Sequence, residues 1–298
     1  MYQAVKDTVD SLSKGRRFSV NGVLKKLGVS TSGYYDWLKR EPSRQERRRN
    51  HIKELILKIY NDNMQIYGAP KITKILRNMG EVISERTVTK YMQELGIRAC
   101  YVKPYTITTI SEDFSCRLKN ILKRDFSPDK PNAVWCTDIT YIWTREGFVY
   151  LSCIMDLFSR RIVALELSRT LETIHVVNAI QKAKLHAGNK VPKVIHTDRG
   201  VQYTSDEYYA ATNGIEQSYS GKGNPWDNAC IESFHALIKR EWLNRFEIRN
   251  YNHAYQLVFE YIDAYYNTRR IHSYCGYRSP FEYEKMYYTT HSAVKTAA

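Results

Sequence analysis

Apolar positions change their period partway along the chain. Between residues 19 and 40, Val20, Val23, Leu24 and Leu27 recur at helical spacing, and Gly28 supplies a turn. Ser30 is then placed to cap a second helix carrying Tyr34, Tyr35, Trp37 and Leu38. Helix, short glycine turn, helix is the pattern of a helix-turn-helix, whose second helix enters the DNA major groove; a plain helical hairpin shares that pattern. Pro42 stops the unit, and the basic run 41–50 reads either as a linker or as the start of a charged helix. Residues 51–60 then carry Ile52, Leu55, Ile56 and Ile59 as an i, i+3, i+4, i+7 stripe. Residues 67–70 break it, and Pro70 fits the first turn of the next helix, with Ile72, Ile75 and Leu76. Gly80 ends that helix, and Ser84 caps another bearing Val88, Tyr91, Met92 and Leu95, which Gly96 terminates. The front of the chain thus predicts two small helical modules in tandem.

From residue 132 the texture becomes that of strands. Residues 133–143, 147–156 and 161–168 are β-branched and aromatic with turn residues between them, predicting an antiparallel meander. A helix over 170–187, a short strand over 191–197, a helix over 205–212 and a strand over 216–219 follow. A Gly/Asn loop then leads into helices over about 227–243 and 250–267. Three meandering strands followed by alternating helix and strand predict an α/β domain: a mixed five-stranded sheet with flanking helices. The expected division is 1–45 (helix-turn-helix), 46–100 (second helix-turn-helix-like module), 101–131 (basic linker), 132–288 (α/β domain) and 289–298 (flexible tail).

Charge sharpens the division. The chain of 298 residues carries a net charge of +14. Residues 1–131 hold 26 basic and 14 acidic side chains, net +12, against 19 and 17, net +2, for the rest. Such asymmetry points to a polyanion-binding front half, with Arg16, Arg17, Lys25, Lys26, Lys39 and Arg40 around the first module as candidate DNA contacts. No run approaches the roughly 18 apolar residues of a membrane span, and no secretory signal pattern opens the chain. Six scattered cysteines without a CxxC pair argue against a zinc site or a disulfide framework and fit a reducing compartment. No P-loop and no HExxH motif occurs.

Three acids stand out by position. Asp138 lies inside an otherwise apolar strand (WCTDITYI), Asp198 where a strand runs into a loop (VIHTDRG), and Glu232 on a helix behind a Gly/Asn loop (GKGNPWDNACIESF). Singly, such acids are mostly structural or solvated. Together at one sheet edge they could hold hard divalent ions that activate a nucleophile and stabilise a leaving oxygen in displacement at phosphorus. Asp156 reads as bonding its own turn, with approach to the site as the alternative. Asp227 reads as a helix N-cap, and Trp226 as packing the helix start rather than stacking on DNA. His196 is open between a packed histidine and a DNA contact.

The runs WCTDITY (135–141), IMDLFSRRIVALELS (154–168), HTDRGVQYTS (196–205), SGKGNPWDNACIESFHALIKRE (220–241) and YNTRRIHSYCGYRSPFEYE (266–284) resemble bacterial insertion-sequence transposases with a retroviral-integrase-like DDE core. The front half matches in LGVSTSGYYDWLKR, YGAPKITKILRNMG and ISERTVTKYMQELGIRA. The resemblance spans nearly the whole chain. It is to the downstream-frame product (orfB) of the group whose transposase arises from two overlapping frames.

The resemblance implies a ribonuclease-H-like catalytic domain and DNA cleavage and strand transfer at element ends. It places the DDE triad on Asp138, Asp198 and Glu232. It also implies two Mg²⁺ ions per site, with Mn²⁺ able to substitute. Asp138 would bridge them, and Asp198 and Glu232 would each hold one. Lys239, two helical turns after Glu232, would contact a DNA phosphate, and Asn228, four residues before it, would support DNA or the metal shell. The implied partners are double-stranded DNA at terminal inverted repeats and target, a homo-oligomer on that DNA, and the upstream-frame protein; a bacterial cytoplasmic, nucleoid-associated location follows. The Asp198–Glu232 gap holds 33 residues, two fewer than the commonest family spacing. Two alternatives stay open: a catalytically silent DNA-binding partial product or regulator that needs fusion to the upstream frame, and a plain nuclease of the same fold.

Overall fold

A computed structural model of the chain describes residues 2–12, 19–100, 118–188, 191–221 and 224–296. Arg16, Arg17 and residues 101–117 of the expected linker lie outside the described residues. Contacts divide the chain into two compact units, Met1–Lys58 and Ile59–Ala298.

The first unit contains α1 (Tyr2–Leu12), α2 (Val20–Lys26), α3 (Thr31–Lys39) and the start of α4 (Arg44–Asp62). Two serines start α2 and α3: Ser19 Oγ accepts from the Gly22 amide and Ser30 Oγ from the Gly33 amide, each at 3.2 Å. Val5, Leu24 and Tyr34 form its core, with Tyr2, Val20, Val29 and Trp37 packed around them. The period of the chain did not predict α1, which supplies Tyr2 and Val5 to that core. The charged run is the beginning of α4, where Ser43 Oγ accepts from the Glu46 amide at 3.1 Å.

The second unit continues with α5 (Ala69–Asn78) and α6 (Glu85–Glu94). Pro70 sits in the first turn of α5, and Ser84 Oγ accepts from the Thr87 amide to start α6. Their apolar stripes bury Ile72, Leu76, Val88 and Met92. At roughly 1.5–3 kcal/mol per buried side chain, that burial outweighs the weak intrinsic stability of ten-residue helices.

The sheet follows: β1 (Val134–Thr144), β2 (Gly147–Asp156), β3 (Ile162–Ser168), β4 (Val194–Thr197) and β5 (Glu216–Tyr219), in the spatial order β3-β2-β1-β4-β5. β1, β2 and β3 are antiparallel, whereas β4 pairs parallel with both β1 and β5. Helix α7 (Thr173–His186) links β3 to β4 and α8 (Asp206–Ala211) links β4 to β5. On one face Val176, Ala179, Ile180 and Ala183 of α7 pack with Trp135, Ile154 and Ile195 of the sheet. α9 (Ala229–Glu241) packs against β1, burying Ile231, Phe234 and Ile238. This is the mixed five-stranded ribonuclease-H-like sheet that the sequence predicts.

Three details differ from the expectations. Residues 119–122, read as linker, dock on β5: Lys119 O accepts from the Tyr219 amide, and the Ile121 and Leu122 amides both donate to Ser218 Oγ at 3.0 Å. The helix expected over 250–267 is α10 (Tyr251–Phe259) followed by a π-helical turn, Glu260–Tyr266, which buries Tyr261, Ile262, Tyr265 and Tyr266. The described part of the expected flexible tail, residues 289–296, continues α11 (Pro280–Thr296). No helix among the described residues is long and apolar enough to cross a membrane.

Candidate active site

Strand register brings the two aspartates together. In the parallel β1–β4 pair Cys136 faces His196, so two residues further along each strand Asp138 and Asp198 stand level on adjacent strands and on the same face. Neighbouring strands lie roughly 4.8 Å apart, well within the range at which two carboxylates repel. Asp198 follows the last residue of β4, and its Oδ1 accepts from the Gly200 amide at 2.9 Å. A Cβ at residue 200 would lie 3.1 Å from that oxygen, so glycine permits the close approach.

Glu232 arrives from the third element. It lies in the first turn of α9, one turn before His235, whose Nδ1 is 3.1 Å from Asp138 Oδ2. Burial and the Asp138 charge push the Asp198 carboxyl up to about 6. Partial burial with the charges of Asp138 and Asp198 pushes Glu232 up to about 7. The three acids therefore share one electrostatic environment. Among the described residues no three His, Cys, Asp or Glu side chains already converge as a complete metal-binding group.

His235 was not singled out in the sequence. It is 5% exposed, and its Nε2 has no hydrogen-bond partner among the described residues. An ionised carboxylate only accepts, so Nδ1 must carry the proton toward Asp138. The signal was available: residue 235 lies three after Glu232 and four before Lys239, on one helical face.

The other candidates divide. Lys239 shares the α9 face, and its Nζ lies 4.6 Å from the centre of the Tyr141 ring. Burial lowers its pKa, against which the Asp138 charge acts. Asn228, 3% exposed, occupies the N-cap position of α9, and neither side-chain polar atom has a partner among the described residues. Asp227 is not that cap, which corrects the sequence reading. Its carboxylate instead accepts from Arg124 Nε at 2.7 Å, Asn120 Nδ2 at 2.8 Å and the Gly221 amide at 2.8 Å, tying residues 120–124 to the loop before α9. Burial would raise its pKa, but these bonds hold it below the ordinary value. Trp226 is 70% exposed and does not pack the helix start.

His196 is a packed histidine, fully buried between Ser218 Oγ (2.8 Å) and Ser220 Oγ (3.2 Å); burial lowers its pKa to about 4. Asp156 holds its own turn, accepting from the Asn132, Phe158 and Ser159 amides and from Ser159 Oγ. In the first unit Lys25 and Lys26 close α2, Lys39 closes α3, Arg40 follows it, and all four are exposed.

Comparison with known proteins gives matches along most of the chain. Two integrase core domain families match residues 128–225 and 213–280, and an HTH-like domain matches residues 47–105. The transposase for insertion sequence element IS904 of Lactococcus lactis is 36% identical over 251 residues, spanning 83% of this chain and 98% of that protein. Transposase InsF for insertion sequence IS3A of Escherichia coli is 32% identical over 271 residues, spanning 90% and 94%. Among solved structures, the HTLV-2 integrase catalytic core domain in complex with magnesium has 17% identity and a TM-score of 0.41, covering 52% of this chain and 98% of that one.

Proposed function

The chain belongs to the IS3 family of insertion-sequence transposases, with an HTH-like domain and an integrase core domain, and from that premise we propose that it cuts and joins DNA strands at Asp138, Asp198 and Glu232. The observation that carries the reading is the strand register that sets Asp138 level with Asp198, with α9 delivering Glu232 to the same charge environment.

The donor set fits hard divalent cations. Three carboxylates offer oxygen ligands, and the burial, with mutual repulsion second, that raises Asp198 and Glu232 is what a cation would offset. Asp138, Asp198 and Glu232 would hold the ions. Bound Mg²⁺, or Mn²⁺ in its place, would supply Lewis-acid activation of the attacking oxygen and stabilisation of the leaving one.

The chain's own groups position the reaction. His235 donates to Asp138 and orients its carboxylate. Lys239 offers a cation to a DNA phosphate two helical turns from Glu232. Asn228 offers two polar atoms at the start of α9. Water first attacks a phosphodiester at an element end, breaking a P–O bond and leaving a 3′-OH. That 3′-OH attacks a second phosphodiester, forming one P–O bond as another breaks, so no ATP is needed. Positioning and electrostatics supply most of the acceleration. The helix-turn-helix modules and their exposed cations grip double-stranded DNA at terminal repeats and target, on which the protein assembles as a homo-oligomer in the bacterial cytoplasm. The upstream-frame protein is a further partner.

The test is an assay on linear DNA carrying the element's ends, comparing wild type with Glu232→Gln in Mg²⁺, Mn²⁺ and EDTA. Metal-dependent joining that Glu232→Gln abolishes while DNA binding persists is the expected outcome. Binding without chemistry in either metal would refute the reading for this chain alone and favour a DNA-binding partial product.

A further inference from the structure

Beyond the carboxylates, β1 and β2 carry an aromatic surface that the reaction described above does not use. Tyr141 is 61% exposed, Trp143 63% and Phe148 48%. Trp143 and Phe148 are directly opposed in the β1–β2 ladder, so they share a sheet face, and Tyr141, two residues from Trp143, shares it too. Phe148 lies between the others, edge-to-face to Trp143 at 4.7 Å and to Tyr141 at 5.5 Å. These contacts hold the rings in place, which lowers the entropy lost when a ligand stacks on them.

Two observations identify the occupant. Lys239 Nζ sits 4.6 Å from the Tyr141 ring centre, so the patch carries a cation at its border. Patch and carboxylates also meet at this lysine, which lies two helical turns after Glu232 on α9. β4 pairs with β1 only across Val134–Cys136 among the described residues, which leaves the strand edge beyond it open where Asp138 and Tyr141 follow. Three residues separate them, an odd offset that turns the two side chains to opposite faces of β1, so a bound strand passes round that open edge to reach both. Aromatic rings with an adjoining cation that borders a phosphoryl-transfer site match unpaired nucleotides: the rings take the bases and the ammonium takes a phosphate.

We propose that Tyr141, Trp143 and Phe148 form a stacking platform for unpaired nucleotides of the DNA end being processed, with Lys239 holding the adjoining phosphate. The proposal rests on the reading of Asp138, Asp198 and Glu232 as the cutting and joining site. It assigns the hairpin the task of holding a frayed strand round the open edge of β1 from those carboxylates.

Fluorescence anisotropy on the full chain, in EDTA so that no chemistry occurs, tests it with a blunt duplex and a duplex of the same sequence bearing a three-nucleotide single-stranded tail. Wild type should prefer the tailed duplex about tenfold, equivalent to about 1.4 kcal/mol, which is within the range for a base stacked on an aromatic side chain. Tyr141→Leu and Trp143→Leu should each remove most of that preference and leave blunt-duplex affinity unchanged, which also shows that the variants fold. Tyr141→Phe should retain it. No tail preference in wild type, or equal weakening on both duplexes, would overturn the proposal. So would an altered sedimentation mass with tail preference intact, which would assign the patch to a second copy of the chain. Strand joining is scored separately in Mg²⁺, so failure of the carboxylate chemistry is read apart from failure of the platform.

Discussion

Removing Arg270 should destabilise the protein by about 3–5 kcal/mol, although the residue is distant in sequence from the three acids. Its Nε and Nη2 donate to Glu241 Oε2 and Oε1 at 2.7 and 2.6 Å, and the Tyr261 hydroxyl donates to Oε2 at 2.6 Å. Both side chains of the pair are 6% exposed. Burial would raise the Glu241 carboxyl, yet the Arg270 bonds hold it below its ordinary value. In Arg270→Met the carboxylate keeps only the tyrosine bond in a site with little water. Breaking such a pair on one side costs about 3–5 kcal/mol, a large share of a total stability of about 5–15. Replacing both partners, as in Glu241→Leu with Arg270→Met, leaves no stranded charge and should recover most of that loss. Urea unfolding followed by circular dichroism measures all three variants. A loss under about 1 kcal/mol for Arg270→Met, with a double variant that is the simple sum of the singles, would refute the reasoning. Glu241 is the last residue of the helix carrying Glu232 and Lys239, so the pair also anchors the end of that helix.

Two further outcomes follow from the same reasoning. The Asp156 carboxyl is raised from 3.8 to about 6 by burial, so the fold holds its proton more tightly than the unfolded chain does. That contribution is present below pH 3.8 and is lost as pH rises through 6; two units correspond to about 3 kcal/mol, and Asp156→Asn should flatten the slope of urea stability between pH 4 and 7. Parallel slopes for the two proteins would contradict this. Lys25→Gln and Lys26→Gln should each lower the slope of log affinity for duplex DNA against log salt by about 0.9 if the lysine meets a phosphate; an unchanged slope in a salt titration would remove that residue from the DNA surface.

Much of the catalytic unit was legible because its elements announce themselves locally. β2 and β5 have the bounds expected from their texture, and Ser30 and Ser84 cap the helices they were expected to cap. Elements supported from a distance were harder. Residues 118–127 form no strand: the Ile121 and Leu122 amides are satisfied by the Ser218 hydroxyl, and those of Lys123, Asp125, Phe126 and Ser127 by groups within the segment, rather than by a regular ladder. Asp227 looks like a cap because acids before helices usually are, but Arg124 and Asn120, more than 100 positions away, claim its oxygens. Trp226 is bulky and apolar, yet the loop turns it outward.

By itself the sequence determined most of the alternation of helices and strands and the basic front half, and it nominated the three acids, because period, charge and motif are properties of neighbouring residues. Only the tertiary structure decided that Cys136 faces His196, so that Asp138 and Asp198 come level. Likewise, only the packing of α9 on β1 sets His235 against Asp138 and Lys239 over Tyr141. Register and helix packing depend on burying two faces at once, and no stretch of sequence contains both faces.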